Sequence, residues 1–244
     1  MKRLAILLCL VVFCLSAAYS YQLSPLNATY DSSGPDSQKI YTIVNDSDSP
    51  IAIEISAVKR NIDINGEEYN EDASAYFSIQ PSKMIIRPQS TQLVRVQYRG
   101  PSTLTEEQSF RIISEQIPYS VGAQVPDSGQ MISFLFVYST SAYVRPSRVI
   151  ESVTSTADLD EDGKLSVTIE NTGSVHQLLN SLSVTVTSDN GASYTFTEEE
   201  LEAISGISLL TNSKVVVRTE NAPSELLSAD NLKASVSYDY SYSN

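Results

Sequence analysis

The chain has 244 residues, a formal charge of −13 and two cysteines. That length holds one large or two ordinary domains. An acidic surface of this kind repels nucleic acid and anionic lipid, so a neutral or basic protein partner suits it better.

In chain order, Lys2 and Arg3 precede an apolar run from Leu4 to Leu15, followed by the small residues Ala17, Ala18 and Ser20. This is the pattern of a secretory signal over residues 1–20, with cleavage after Ser20 or Ala18. The run is short for a bilayer span and no later stretch is long and apolar enough, so no membrane insertion is expected. Phe13 before Cys14 departs from a lipoprotein signal. Both cysteines, Cys9 and Cys14, fall inside the signal, and the exported chain would form no disulfide. Loss of Lys2 and Arg3 leaves 14 basic residues against 29 acidic ones, a net charge of −15.

From there helical periodicity is nearly absent, and short alternating runs recur between turn residues. That is the signature of an all-β sandwich. Gln22–Tyr30 and Lys39–Val44 read as the first two strands, and Ile51, Ile53 and Ile55 mark one face of a third. Asp63–Gly66 turns the chain, and the residues from there to Asp72 read as an acidic loop. Phe77, Ile79, Ile85 and Ile86 surround Pro81 and Pro88, which implies short, irregular pieces. Thr91–Arg99 alternates with Val94, Val96 and Tyr98 on one face, and Phe110–Ile117 is the sixth strand.

The seventh, Gln130 to Pro146, is long and carries no charge before Arg145. Alternation places Ile132, Phe134, Phe136 and Tyr138 on one face and Met131, Ser133, Leu135 and Val137 on the other. Both faces are apolar, and no Lys or Pro guards the strand as sheet edges usually require. It is therefore either a central strand or an edge meant to be covered by another chain, a second copy of this one included. Seven strands in about 125 residues fit an immunoglobulin-like sandwich. Arg145-Pro146-Ser147 breaks the pattern, so a first domain over 21–145 and a second over 146–244 are expected. The second half carries candidate strands at Val149–Val153, Leu165–Ile169, Leu182–Val186, Ser193–Phe196, Lys214–Arg218 and Leu232–Tyr238, with a helical turn or two in Glu198–Ile204.

The residues Phe77-Ser-Ile-Gln-Pro81, Ile86-Arg-Pro88, Gln92–Tyr98, Glu107–Ile112, Glu115-Gln-Ile-Pro118 and Val144-Arg-Pro146 together resemble the periplasmic PapD-like chaperones of the chaperone–usher pilus pathway. Tyr98-Arg-Gly-Pro101 looks like the divergent branches of that family. The resemblance implies two immunoglobulin-like domains in a boomerang. It also implies donor-strand complementation, the β-strand addition in which the last strand of the first domain completes a pilus subunit. Carried over from Arg145-Pro146, the donor positions are Ile132, Phe134 and Phe136, with Tyr138 on the same face. The implied partners are pilus or fimbrial subunits and an outer-membrane usher, the implied compartment is the periplasm, and no cofactor is implied. Glu115 and Arg145 are the implied interdomain ion pair. The family's two basic residues that anchor a subunit's terminal carboxylate map onto Asn27 and Ser141, neither of them charged, so the clamp is altered. Otherwise another base such as Lys39 or Arg145 serves, or the client is atypical. A two-domain fimbrial subunit or surface adhesin is the alternative reading.

Other motifs weigh less. Asp158-Leu-Asp-Glu-Asp-Gly163 opens like a calcium loop, but its twelfth position is Ile169 rather than Glu, and an Asp-Gly hairpin turn explains it more simply. His176 is the single histidine and cannot build a zinc site with no cysteine beside it. Asn27-Ala-Thr29 and Asn45-Asp-Ser47 match a glycosylation pattern that is common by chance. No catalytic constellation stands out, and no enzyme or metal site is expected.

Overall fold

The computed structural model describes residues 21–119 and 134–239. The expected signal over residues 1–20 and the expected donor position Ile132 lie outside the described residues. The fold is a two-domain β-sandwich chain, built on two separate apolar cores.

The first ten strands are β1 (Gln22–Ser24), β2 (Asn27–Asp31), β3 (Gln38–Asn45), β4 (Ile51–Ile62), β5 (Glu68–Asp72), β6 (Phe77–Gln80), β7 (Lys83–Ile86), β8 (Ser90–Tyr98), β9 (Gln108–Ile117) and β10 (Val137–Arg145). They form a four-stranded sheet in the order β1-β3-β8-β6. Facing it is a six-stranded sheet in the order β2-β10-β9-β4-β5, with β7 also on β4. The expected first strand thus divides at Pro25: β1 pairs antiparallel with β3 in one sheet, and β2 pairs parallel with β10 in the other. Tyr41 and Ile43 of β3, Ile53 of β4, Val94 and Val96 of β8 and Ile112 of β9 meet between the sheets. Phe77 packs edge-on against Tyr30, Tyr98 and Phe110 with ring centroids 5.0–5.7 Å apart, the geometry aromatic quadrupoles favour.

Two polar side chains tie the turns down. Asn45 is buried and donates to the carbonyls of Ser49, Ile86 and Arg87 while accepting from Ser47. Its amide is spent inside the fold, which leaves no glycosylation acceptor there. Asn171 does the same work in the second domain, donating to Val175 and Leu209 and accepting from the Gly173 N–H.

The remaining strands are β11 (Val153–Leu159), β12 (Leu165–Asn171), β13 (Gln177–Leu178), β14 (Asn180–Ser188), β15 (Ser193–Thr195), β16 (Ser208–Leu209), β17 (Lys214–Thr219) and β18 (Leu232–Asp239). They form the sheets β11-β12-β17, β13-β16 and β15-β14-β18. The expected strand at Val149–Val153 is displaced: Val149 and Ile150 are exposed and the strand starts at Val153. Between β11 and β12 the Asp160 carboxylate accepts from the N–H groups of Asp162 and Lys164, which ties down a hairpin turn. Among the described residues no group of three or more His, Cys, Asp or Glu is placed to hold a metal.

The helical turn Glu198–Leu201 opens with a capping box, Thr197 accepting from the Glu200 N–H and Glu200 from the Thr197 N–H. Burial works to raise the Glu200 carboxyl. Hydrogen bonds from Thr219, the Thr197 N–H, Tyr194 and Asn221 outweigh it and hold the group down to about 2. A depressed carboxylate contributes stability in full above its unfolded pKa, and that contribution fades as pH falls through about 2. Thr197→Ala is expected to cost about 1 kcal/mol, read as a lower urea midpoint at unchanged m-value.

Candidate functional site

The six-stranded sheet has one face on its own core and one facing away from it. Along β4 the odd residues Ile51, Ile53, Ile55 and Ala57 enter the first core, and the even residues Arg60 and Ile62 are buried on the opposite face. Ile62 belongs to the core of the second domain. One twelve-residue strand therefore serves two interfaces. The β4–β5 hairpin continues the bridge: the Val216 N–H of β17 donates to the Ile64 carbonyl at 2.8 Å. Gly66 at the turn has φ +85°, and a Cβ there would meet Ile207 Cδ1 at 3.2 Å and the Ala203 carbonyl at 3.4 Å. Glycine suits both the backbone and the close approach.

On this outer face Asn27, Ser141 and Arg111 are direct neighbours across β2, β10 and β9. The two expected cleft positions thus stand side by side, and the next residue in the row is a base. Arg111 donates from Nη1 to Ser141 Oγ at 2.6 Å and from Nε to Glu68 Oε1 at 2.9 Å, with Nη2 on Glu68 Oε2. Arg60 donates from Nε to Glu68 Oε2 at 2.7 Å and from Nη1 to the Tyr143 hydroxyl at 3.1 Å. Burial acts to raise the Glu68 carboxyl; the hydrogen bond from Arg111 and the charges of Arg60 and Arg111 prevail and hold it below the usual carboxylate range. A cavity of about 450 Å3 opens beside them, lined by Arg60, Ile62, Glu68, Arg111, Ser141 and Ser208. Lys39 lies elsewhere, paired with Asp36 at 3.2 Å.

The other end of β10 is different. β2 flanks only its Ser141–Arg145 half, and the Val137–Thr140 half has β9 as its neighbouring strand. Phe134 is 74% exposed, and Leu135, Val137 and the nearby Leu26 are exposed as well. The expected apolar face turns inward beyond Phe134. Phe136 and Tyr138 pack against the first core, with the Tyr138 ring 4.8 Å from Tyr21 and its hydroxyl donating to the Tyr21 carbonyl. Tyr21 is itself buried, and burial pushes its hydroxyl up to about 12.

Arg145 does not meet Glu115. Glu115 is exposed and sits opposite Val137, at the far end of β10. Arg145 donates from Nε to Glu107 Oε2 at 3.0 Å instead. The buried Glu107 also accepts from the backbone N–H of His176 at 3.2 Å and from its Nδ1 at 2.6 Å. A carboxylate only accepts, so Nδ1 carries the proton. The imidazole stacks on Tyr143, with centroids 3.9 Å apart and planes 10° apart. The Glu107 N–H donates to the Ser174 carbonyl at 2.8 Å, and the Thr211 hydroxyl donates to the Glu107 carbonyl at 3.1 Å. One acidic side chain thus joins β10 of the first domain to the loop before β13 in the second.

A family model described as pili and flagellar-assembly chaperone, PapD N-terminal domain, matches residues 25–149. The chain belongs to this family. Its fold is similar to the CsuC–CsuE chaperone–tip adhesion subunit pre-assembly complex from archaic chaperone-usher Csu pili of Acinetobacter baumannii, at 14% identity and a TM-score of 0.57, covering 84% of this chain and 89% of that one. It is similar to the class 5 fimbriae chaperone CfaA at 12% identity and a TM-score of 0.56, covering 90% and 100%. It is similar to the Pseudomonas aeruginosa CupB2 chaperone at 15% identity and a TM-score of 0.51, covering 90% and 92%. No curated protein matches the chain in sequence. In this pilus-assembly chaperone, sequence reasoning missed the cluster of Arg60, Glu68 and Arg111 beside Ser141 and passed over Glu107 at the seam. A signal for Arg111 was present: it is a charge set between the apolar residues Phe110 and Ile112.

Proposed function

We propose that the protein is a periplasmic chaperone that binds pilus or fimbrial subunits by lending them a strand and passes them to an outer-membrane usher. The observation that carries this reading is β10, which β2 flanks only along Ser141–Arg145 among the described residues, with exposed Phe134 and Leu135 just before the strand and exposed Val137 at its start. A subunit lacking a strand has two rows of unsatisfied backbone groups and an open apolar groove. A donated strand satisfies the first and fills the second. Each large side chain taken from water adds about 1.5–3 kcal/mol, from which ordering and association costs are subtracted. Phe134 keeps its role as a groove-filling residue from outside the alternating row, since it precedes the regular strand that begins at Val137. Leu135 and Val137 replace Phe136 and Tyr138 in that role, because the latter two serve the protein's own core. Arg111, reaching Ser141 from the neighbouring strand, supplies the base that Asn27 and Ser141 lack, with Arg60 beside it. Domain limits of 21–145 and 146–244, export to the periplasm and the absence of catalysis complete the reading. The two-domain subunit or adhesin is the weaker alternative, since a chaperone-family match spans the first domain.

The test is co-purification from periplasm. The triple variant Phe134→Asp, Leu135→Asp, Val137→Asp is expected to keep its unfolding midpoint, because all three side chains are exposed, and to lose bound subunits at least tenfold. Undiminished recovery of subunits would remove the donor-strand mechanism. A protein found in surface fibres instead would favour the subunit reading.

A further inference from the structure

We propose that Glu68 is a built-in occupant of the two-arginine site, and that an external carboxylate binds there by displacing it. The inference rests on the reading of Arg111 as the base of the cleft and adds how that base is kept before a ligand arrives. Glu68 presents one oxygen to Arg111 Nε and shares the other between Arg111 and Arg60. A side-on fork from Arg111 and a further N–H from Arg60 on one carboxylate is an arrangement an incoming carboxylate can itself adopt. Without Glu68 the two cations would stand on adjacent strands with no counter-charge between them, and Arg60 is only 8% exposed. Desolvated like charges of that kind repel.

Glu68 is also the residue best placed to leave. It begins β5, an outermost strand whose five residues are all exposed, so its side chain can swing out without opening either core. The hairpin that carries it stays fastened beyond it, through Ile62 in the second core and the Ile64 carbonyl on Val216. The cavity beside Ser141 and Ser208 leaves room for the entering group. A site closed in this way binds with an affinity lowered by the fraction of molecules in which it is open. That protects the cleft from the small carboxylates of its surroundings and reserves it for a ligand held by other contacts as well.

Acetate is the probe, added to the mature full chain, with the Nε–H resonances of Arg60 and Arg111 as the readout. Glu68→Gln keeps the shape and removes the charge. It is expected to bind acetate at least tenfold more tightly than the parent, and Arg111→Ala added to it is expected to abolish that gain. Should Glu68→Gln fail to fold, Glu68→Asp, one methylene shorter, is expected to show a severalfold gain. Equal acetate affinity in parent and variant, or a gain that survives Arg111→Ala, overturns the proposal. Subunit recovery by the Phe134, Leu135 and Val137 variant judges the chaperone mechanism separately: if recovery stays strand-dependent while acetate binding is unchanged, only the role of Glu68 falls.

Discussion

Glu107→Ala is expected to destabilise the protein by about 3 kcal/mol, at the low end of the roughly 3–5 kcal/mol lost when one partner of a buried ion pair is removed. The Glu107 side chain is fully buried, and its two oxygens serve Arg145 and His176. Its loss takes one acceptor from the Arg145 guanidinium and removes the shared acceptor of the His176 imidazole N–H and backbone N–H at the joint between domains. Arg145 is still 23% exposed, so water recovers part of its solvation, which is why the low end applies. Glu107→Gln retains an acceptor and should lose less. Urea unfolding measures both. Because the damage lies at the seam, the alanine variant should also broaden the range of interdomain distances seen by solution scattering. An alanine variant with an unchanged midpoint would mean that the β4–β5 bridge and the backbone contacts of residue 107 suffice to hold the two domains.

Phe110→Ala is expected to cost about 3–5 kcal/mol, the range for deleting a buried phenyl ring. Phe110 is completely buried at the centre of the first sandwich, 5.0 Å from Phe77, 5.4 Å from Tyr76 and 6.2 Å from Tyr98 between centroids. The neighbours are themselves rings braced by the facing sheet, so collapse into the space should be limited. The measured loss should appear in urea unfolding and be accompanied by changed near-ultraviolet dichroism of the tyrosines. A loss under about 1 kcal/mol would show that the ring cluster repacks freely.

These two residues differ in how readable they were. Phe110 is legible because it alternates with Ile112 in a strand with one buried face, and such periodicity is a local property of the chain. The same reasoning finds Val94, Val96 and Tyr98, and through them the sandwich. Glu68 was hidden because β5 is exposed on both faces and therefore carries no apolar alternation; its negative charges suit an edge strand that must refuse foreign partners. The division at Pro25 was hidden because both halves alternate alike, and only the pairing with β3 or β10 tells them apart. Arg145 was recognised as a seam residue, yet its partner was misassigned. Partner choice depends on strand register, and the antiparallel β9–β10 register sends Glu115 to the opposite end. The inward turn at Phe136 and Tyr138 depends likewise on Tyr21, a contact across more than a hundred positions of sequence.

The stacking of His176 on Tyr143 makes the seam unusually easy to watch. The chain has one histidine and no tryptophan. A single imidazole resonance, shifted by the ring current of the tyrosine beneath it, therefore reports on this joint alone. A tryptophan introduced at Phe134 would be the sole indole in the molecule. One imidazole and one indole would then follow the hinge and the strand tip in the same sample, each without spectral overlap from its own kind.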